Sequence, residues 1–204
     1  MGHTAQLRGG SVGISLQKSQ SVSLAKEAKD GLSQITLGVG WDVAKGGFFG
    51  GLFGGGGDID LDASCITFDP ERTVLESVWF GKLTNASGTI RHSGDNLTGE
   101  GDGDDESIAI NLDRLDAKVE YIVLTVNSFR GQTFDKVANA FGRVVDTRSG
   151  KELARFDISD SGPHTGLILA SLTRNGGQWD FKAIGERTGG RTVHDLTAPA
   201  RAIL

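Results

Sequence analysis

Residues 95–106, Asp-Asn-Leu-Thr-Gly-Glu-Gly-Asp-Gly-Asp-Asp-Glu, place six carboxylates and one amide among three glycines, with no Lys or Arg between them. Such a loop repels itself, and a hard cation that takes many oxygen ligands relieves the repulsion. Gly99, Gly101 and Gly103 let the backbone curl so that carbonyls and carboxylates converge on one point. A second acidic segment, Asp58-Ile59-Asp60-Leu61-Asp62, spaces its aspartates at i, i+2 and i+4. On a strand that spacing puts all three carboxylates on one face and Ile59 and Leu61 on the other. Three like charges on one face need solvent, a basic partner or a bridging cation. The chemistry these residues point to is oxygen-donor metal binding, with a solvated acidic surface as the plain alternative. Magnesium keeps its waters and holds few protein ligands, so this many carboxylates suits calcium better.

Standard calcium templates do not fit. Asp58, Asp60 and Asp62 match the first three ligand positions of an EF-hand, but Ala63 stands where its glycine belongs. Leu97 and Gly99 fall on ligand positions of the twelve-residue 95–106 loop, and the glycine-rich nonapeptide of calcium β-rolls has no tandem copies here. The expected site is therefore built from loops of a sandwich. Enzymatic motifs are missing: there is no Gly-x-Ser-x-Gly elbow, no His-Glu-x-x-His, and Gly54–Gly57 is not followed by Lys-Ser/Thr. His92, beside the loop, is the one candidate base for a metal-assisted hydrolase, and a packing or hydrogen-bonding role is the plainer reading. The lone Cys65 excludes an intrachain disulfide framework and sits in an apolar run that reads as buried.

The formal charge of −5 is more than accounted for by the six acids of the 95–106 loop. The acidity is local, and a local acidic patch argues against a nucleic-acid partner. Residues 1–8 carry no apolar run, and no stretch approaches the roughly 18 to 20 apolar residues of a membrane span. A cytoplasmic protein is the expectation.

These acids need a rigid frame, and the rest of the chain reads as strands. In Ser33–Val43, Ile35, Leu37, Val39 and Trp41 alternate and share one face. Ile14–Lys18, Val22–Lys26, Thr73–Phe80 and Val119–Val126 also read as strands. Ala140–Val145 and Glu152–Ile158 flank a turn at Asp146–Gly150, and Leu167–Leu172 and Gln178–Ile184 flank another at Asn175-Gly176-Gly177. Thr133–Asn139 and Val193–Ala198 are short helix candidates. Trp41, Trp79 and Trp179 lie in strand-like runs and are expected in the core. The fold class is all-β, a two-sheet β-sandwich with short helices and long acidic and glycine-rich rim loops. Residues 14–190 form the domain, with 1–13 a disordered extension and 191–204 a tail. Gly46–Gly57 interleaves eight glycines with Phe48, Phe49, Leu52 and Phe53. It is either a plain rim loop or an aromatic contact for a membrane or partner.

Several segments together resemble the tellurium-resistance TerD family of calcium-binding bacterial stress proteins. They are Val22-Ser23-Leu24, Gly40-Trp41-Asp42, Asp58–Ser64, His92–Glu106, Ala154–Ser159 and Trp179–Gly185, so the resemblance spans roughly residues 14 to 188. It implies a β-sandwich that binds two calcium ions at neighbouring loops, without established enzymatic chemistry. By position it carries ligand or near-ligand roles to Asp58, Asp60, Asp95, Asn96, Gly99, Glu100, Asp102, Asp104, Asp105 and Glu106, with Asp42 and Asp62 as second-rank candidates. It also implies other stress-resistance proteins as partners and work near the inner membrane surface. The competing readings are a calcium-dependent membrane or glycan binder and a metal-assisted hydrolase. The glycine–phenylalanine stretch and residues 191–204 fall outside the matched pattern.

Overall fold

The structure, a computed structural model, describes residues 14–15, 21–23, 33–43, 60–95, 103–157 and 162–204. In chain order the strands are β1 (Ile14–Ser15), β2 (Ser21–Ser23), β3 (Gln34–Val43), β4 (Leu61–Phe68), β5 (Val74–Val78), β6 (Ile90–His92), β7 (Glu106–Asn111), β8 (Tyr121–Ser128), β9 (Val137–Asp146), β10 (Glu152–Asp157), β11 (Gly166–Asn175) and β12 (Gln178–Thr188), followed by a helix, α1 (Val193–Ala202). They form two sheets, ordered β1-β10-β9-β3-β7-β6 and β2-β12-β11-β8-β4-β5. Every pairing is antiparallel except the short β1–β10 contact.

The alternation expected of β3 is realised: Ile35, Leu37, Val39 and Trp41 are all buried between the sheets. Both expected hairpins form, as β9–β10 and β11–β12. The second closes on two residues with positive φ, Gly176 (56°) and Gly177 (82°), the conformation a two-residue loop demands and side chains resist. Trp179 is buried, whereas Trp79 is only part-buried, edge-on to Phe80 and His194. Thr133–Asn139 does not become a helix. A single 3-10 turn at Phe134–Lys136 gives way to β9, whose pairing with β3 claims the chain from Val137 onward.

The second sheet is apolar on both faces. Along β4, Leu61, Ala63 and Cys65 face the inter-sheet core, while Ile66 and Phe68 belong to a separate cluster with Val123, Ile168 and Ile184. That outer cluster needs a cover, and α1 provides it by burying Val193, Leu196 and Ala200 there. A capping box starts the helix: Thr192 accepts from the Asp195 N–H, and the Asp195 carboxylate accepts from the Thr192 N–H. Residues 193–202, expected to be part of a tail, are thus packed structure. Leu196→Ala is expected to cost about 2–4 kcal/mol, read as a drop of roughly 5–15 °C in melting temperature. An unchanged melting temperature would mean that α1 contributes nothing to the core.

Candidate metal centre

Three carboxylates meet where β4 begins. Asp60 immediately precedes the strand, Asp62 is its second residue, and Asp95 follows β6. One oxygen from each lies within 4.8 Å of the others. Asp60 and Asp62 are buried and Asp95 is exposed, so the group is reached from the Asp95 side. The register of β4 on β8 sets Asp62 directly opposite Asn127, whose Nδ2 donates to Asp62 Oδ2 at 2.9 Å. The Phe129 N–H donates to the Asp60 carbonyl at 3.2 Å, and Arg130 Nε lies 3.4 Å from Asp60 Oδ2. Asp60 Oδ1 and Asn127 Oδ1 are buried with no hydrogen-bond partner among the described residues. The three carboxylates, with a buried Asp60 oxygen that no described residue satisfies, make an all-oxygen set that fits a hard cation and offers nothing to a thiophilic metal.

The electrostatics agree with that fit. Burial, then the neighbouring Glu106 and Asp60 charges, push the Asp62 carboxyl up to about 8. Asp60 is also raised, by burial first and then by Asp95, with Arg130 opposing. The metal-free fold therefore retains at Asp62 a proton that the unfolded chain releases near 4. That group favours the folded state at low pH, and its contribution is lost as pH rises from 3.8 to about 8. In chelator the melting temperature is expected to fall across this window by about 3 °C or more. Asp62→Asn is expected to flatten the fall, and an equal slope in the variant would place its origin elsewhere.

The last acid of the loop has a different task. Strand β5 pairs with β4 from Cys65 to Phe68, so that among the described residues no strand pairs with the start of β4 on that side. There Glu106, reaching over from the other sheet, accepts the Ala63 N–H at 2.6 Å, and His92 Nε2 lies 3.0 Å from the Ala63 carbonyl. Because the Gly94 N–H donates to His92 Nδ1 at 3.0 Å, the ring hydrogen sits on Nε2, which is also 3.2 Å from Glu106 Oε2. Both His92 nitrogens are committed and its side chain is wholly buried. A hydrolytic base needs access and a free nitrogen, and His92 has neither.

Residues 103–105 lie across the outer face of β3. The Asp105 N–H donates to the Val39 carbonyl at 2.9 Å. The register of β3 on β9 shifts between Gly40 and Asp42, and there the Trp41 N–H donates to Asp105 Oδ2 at 2.8 Å. Asp104 is gripped by Arg143 through two bonds, Nε to Oδ1 at 2.7 Å and Nη2 to Oδ2 at 3.0 Å. Glycine makes this approach possible. A Cβ on Gly38 would fall on the Asp104 carboxylate, and one on Gly40 on the Gly103 carbonyl and the Phe141 ring. Gly38→Ala is expected to cost about 1–3 kcal/mol by pushing Asp104 off Arg143. No change in the denaturation midpoint would mean the loop yields freely.

Of the sequence candidates, Asp60, Asp62 and Asp95 are therefore brought together, while Asp104, Asp105 and Glu106 are each bound to protein donors. Asp42 lies on β3. Asp58, Asn96, Gly99, Glu100 and Asp102 lie outside the described residues, as do Phe48, Phe49, Leu52 and Phe53. Cys65 is buried, and burial pushes its thiol up to about 12, which makes it an inert core residue. Sequence reasoning missed Asn127 and Arg143, whose places depend on strand register, and Arg130, in the turn that follows β8. Gly38 and Gly40 carried a readable signal, since glycine inside a strand marks close backbone approach.

Among the described residues no helix is long and apolar enough to cross a membrane. A family model described as the TerD domain matches residues 12–197. Tellurium resistance protein TerZ of Serratia marcescens is 55% identical over 184 residues, covering 90% of this chain and 94% of that protein. Stress response protein SCP2 of Bacillus subtilis (strain 168) is 40% identical over 193 residues, covering 90% and 96%. The crystal structure of a homologue of telluride resistance protein (TerD) from Streptomyces coelicolor A3(2) superposes with a TM-score of 0.66, at 24% identity, over 82% of this chain and 96% of that one, a likeness of fold alone. The chain belongs to the TerD family of tellurium- and stress-resistance proteins.

Proposed function

We propose that the protein is a calcium-binding member of this resistance family that works by ion-dependent structure and partner binding. The reading is supported by the convergence of Asp60, Asp62 and Asp95 and by buried Asp60 Oδ1 and Asn127 Oδ1, which have no hydrogen-bond partner among the described residues. A bound divalent cation cancels the mutual repulsion of the three carboxylates and fixes their geometry. It thereby sets the shape of the surface that a partner meets. The partners proposed are other proteins of the resistance response, because the relatives are themselves tellurium-resistance and stress-response proteins. A cytoplasmic location goes with that role. Catalysis is no part of the proposal, given how His92 is held.

Calorimetric titration of chelator-stripped protein tests this directly. Calcium is expected to bind with a dissociation constant in the micromolar range or tighter. Magnesium is expected to compete poorly. Absence of both heat and any shift in melting temperature would reduce the cluster to an acidic surface.

A further inference from the structure

We propose that Asn127 is a positioning residue that couples the cation site to docking of the C-terminal helix, an inference that rests on the calcium reading above. Asn127 lies directly opposite Asp62 in the β4–β8 register. Its side-chain nitrogen carries two hydrogens, and both are used. One goes to Asp62 Oδ2 at 2.9 Å, the other to the Arg191 carbonyl at 2.7 Å, just before the helix cap at Thr192. Turning the amide over would set its oxygen against a carboxylate and a carbonyl, so the two partners fix its orientation.

The next residues of the same strand exit repeat the link. The Phe129 N–H donates to the Asp60 carbonyl at 3.2 Å, while the Phe129 carbonyl accepts from Arg191 Nε at 2.8 Å. Arg130 Nε lies 3.4 Å from Asp60 Oδ2. Residues 127–130 thus touch both buried carboxylates on one side and Arg191 on the other. Arg191 in turn is tied to the helix, since its N–H donates to Asp195 Oδ2 at 2.9 Å.

Without a cation, no ion ties Asp62 to Asp60 and Asp95, and the carboxyl that Asn127 reads is held by fewer contacts. With a cation, Asp62 is held where the amide can bind it and Arg191 together. Coupling of this kind is reciprocal: whatever calcium gains from a docked helix, the helix gains from bound calcium.

Amide hydrogen exchange on the full chain, in chelator and in calcium, decides the matter when run beside calorimetric titration. In the wild type, calcium is expected to slow exchange in residues 193–202 by roughly 5- to 100-fold. In Asn127→Ala, calcium affinity is expected to fall about 10- to 100-fold and that slowing to disappear, even at calcium concentrations that saturate the variant. A merely structural asparagine would lower the melting temperature and leave the calcium-dependent difference in exchange untouched. Wild-type protein that binds calcium without any change in α1 exchange overturns the coupling and leaves the cation site standing. Wild-type protein that binds no calcium removes both. Should Asn127→Ala fail to fold, the wild-type comparison decides by itself.

Discussion

The double variant Asp60→Asn, Asp62→Asn is expected to melt higher than the wild type in chelator and lower than the wild type in excess calcium. In chelator the wild type bears two buried carboxylates beside a third, and burial together with like charges works against ionisation of both. Asparagine keeps the shape and leaves an oxygen for the Asn127 N–H while removing the charge. The ion pair between Arg130 and Asp60, which the variant cannot form, spans 3.4 Å with a partly exposed guanidinium and is worth little. The expected gain in chelator is therefore about 3 °C or more. Calcium reverses the order. At a hundred times its dissociation constant, a ligand that binds only the folded state adds about 2.7 kcal/mol, or roughly 5–10 °C for a chain of this size. The double variant is expected to gain nothing and to bind calcium at least about 100-fold more weakly, because two of the three converging oxygens no longer carry charge. Differential scanning calorimetry in both buffers reads all of this. A variant that melts lower in chelator, or keeps its calcium-induced rise, would remove Asp60 and Asp62 from the site.

Glu106→Ala is expected to behave in the opposite way, although it too removes an acid from the same neighbourhood. Glu106 is wholly buried and accepts the Ala63 N–H on the edge of β4 that β5, among the described residues, does not reach. Truncation leaves that N–H without an acceptor, withdraws one of the two oxygens near His92 Nε2, and opens a void between the sheets. Loss of a buried charged acceptor of this kind costs about 3–5 kcal/mol, or roughly 6–15 °C. The loss is expected in chelator as well as in calcium, which separates a structural carboxylate from a ligand. If Glu106→Ala instead stabilises the metal-free protein, relief of repulsion outweighs the missing hydrogen bond and Glu106 belongs with the cation.

The contrast shows what could be read from the sequence and what could not. The alternating run of β3, the Gly176-Gly177 turn and the concentration of acids around the site follow from period, backbone freedom and charge. Each is a local property. Which carboxylates face a cation and which face an N–H is decided at long range, and neighbours in sequence part company. Asp104 goes to Arg143 and Asp105 to the Trp41 N–H. Glu106 goes to Ala63 on the other sheet, and Asp95 stays with Asp60 and Asp62. Nothing in the composition of the loop distinguishes them. The helix at Val193–Ala202 is half-legible. Thr192 and Asp195 announce its start, but its docking face depends on a sheet that is apolar on both sides, a fact visible only once β4, β8 and β11 lie together.

That two-sided sheet has a consequence for how the protein is made. The cover for Ile66, Phe68, Val123 and Ile168 is α1, which comes later in the chain than every strand it packs against. Until residues 193–202 clear the ribosome, a nascent sandwich shows the cell an apolar face that the finished one hides, so chaperones and proteases can reach it in the interval between synthesis of β11 and emergence of α1.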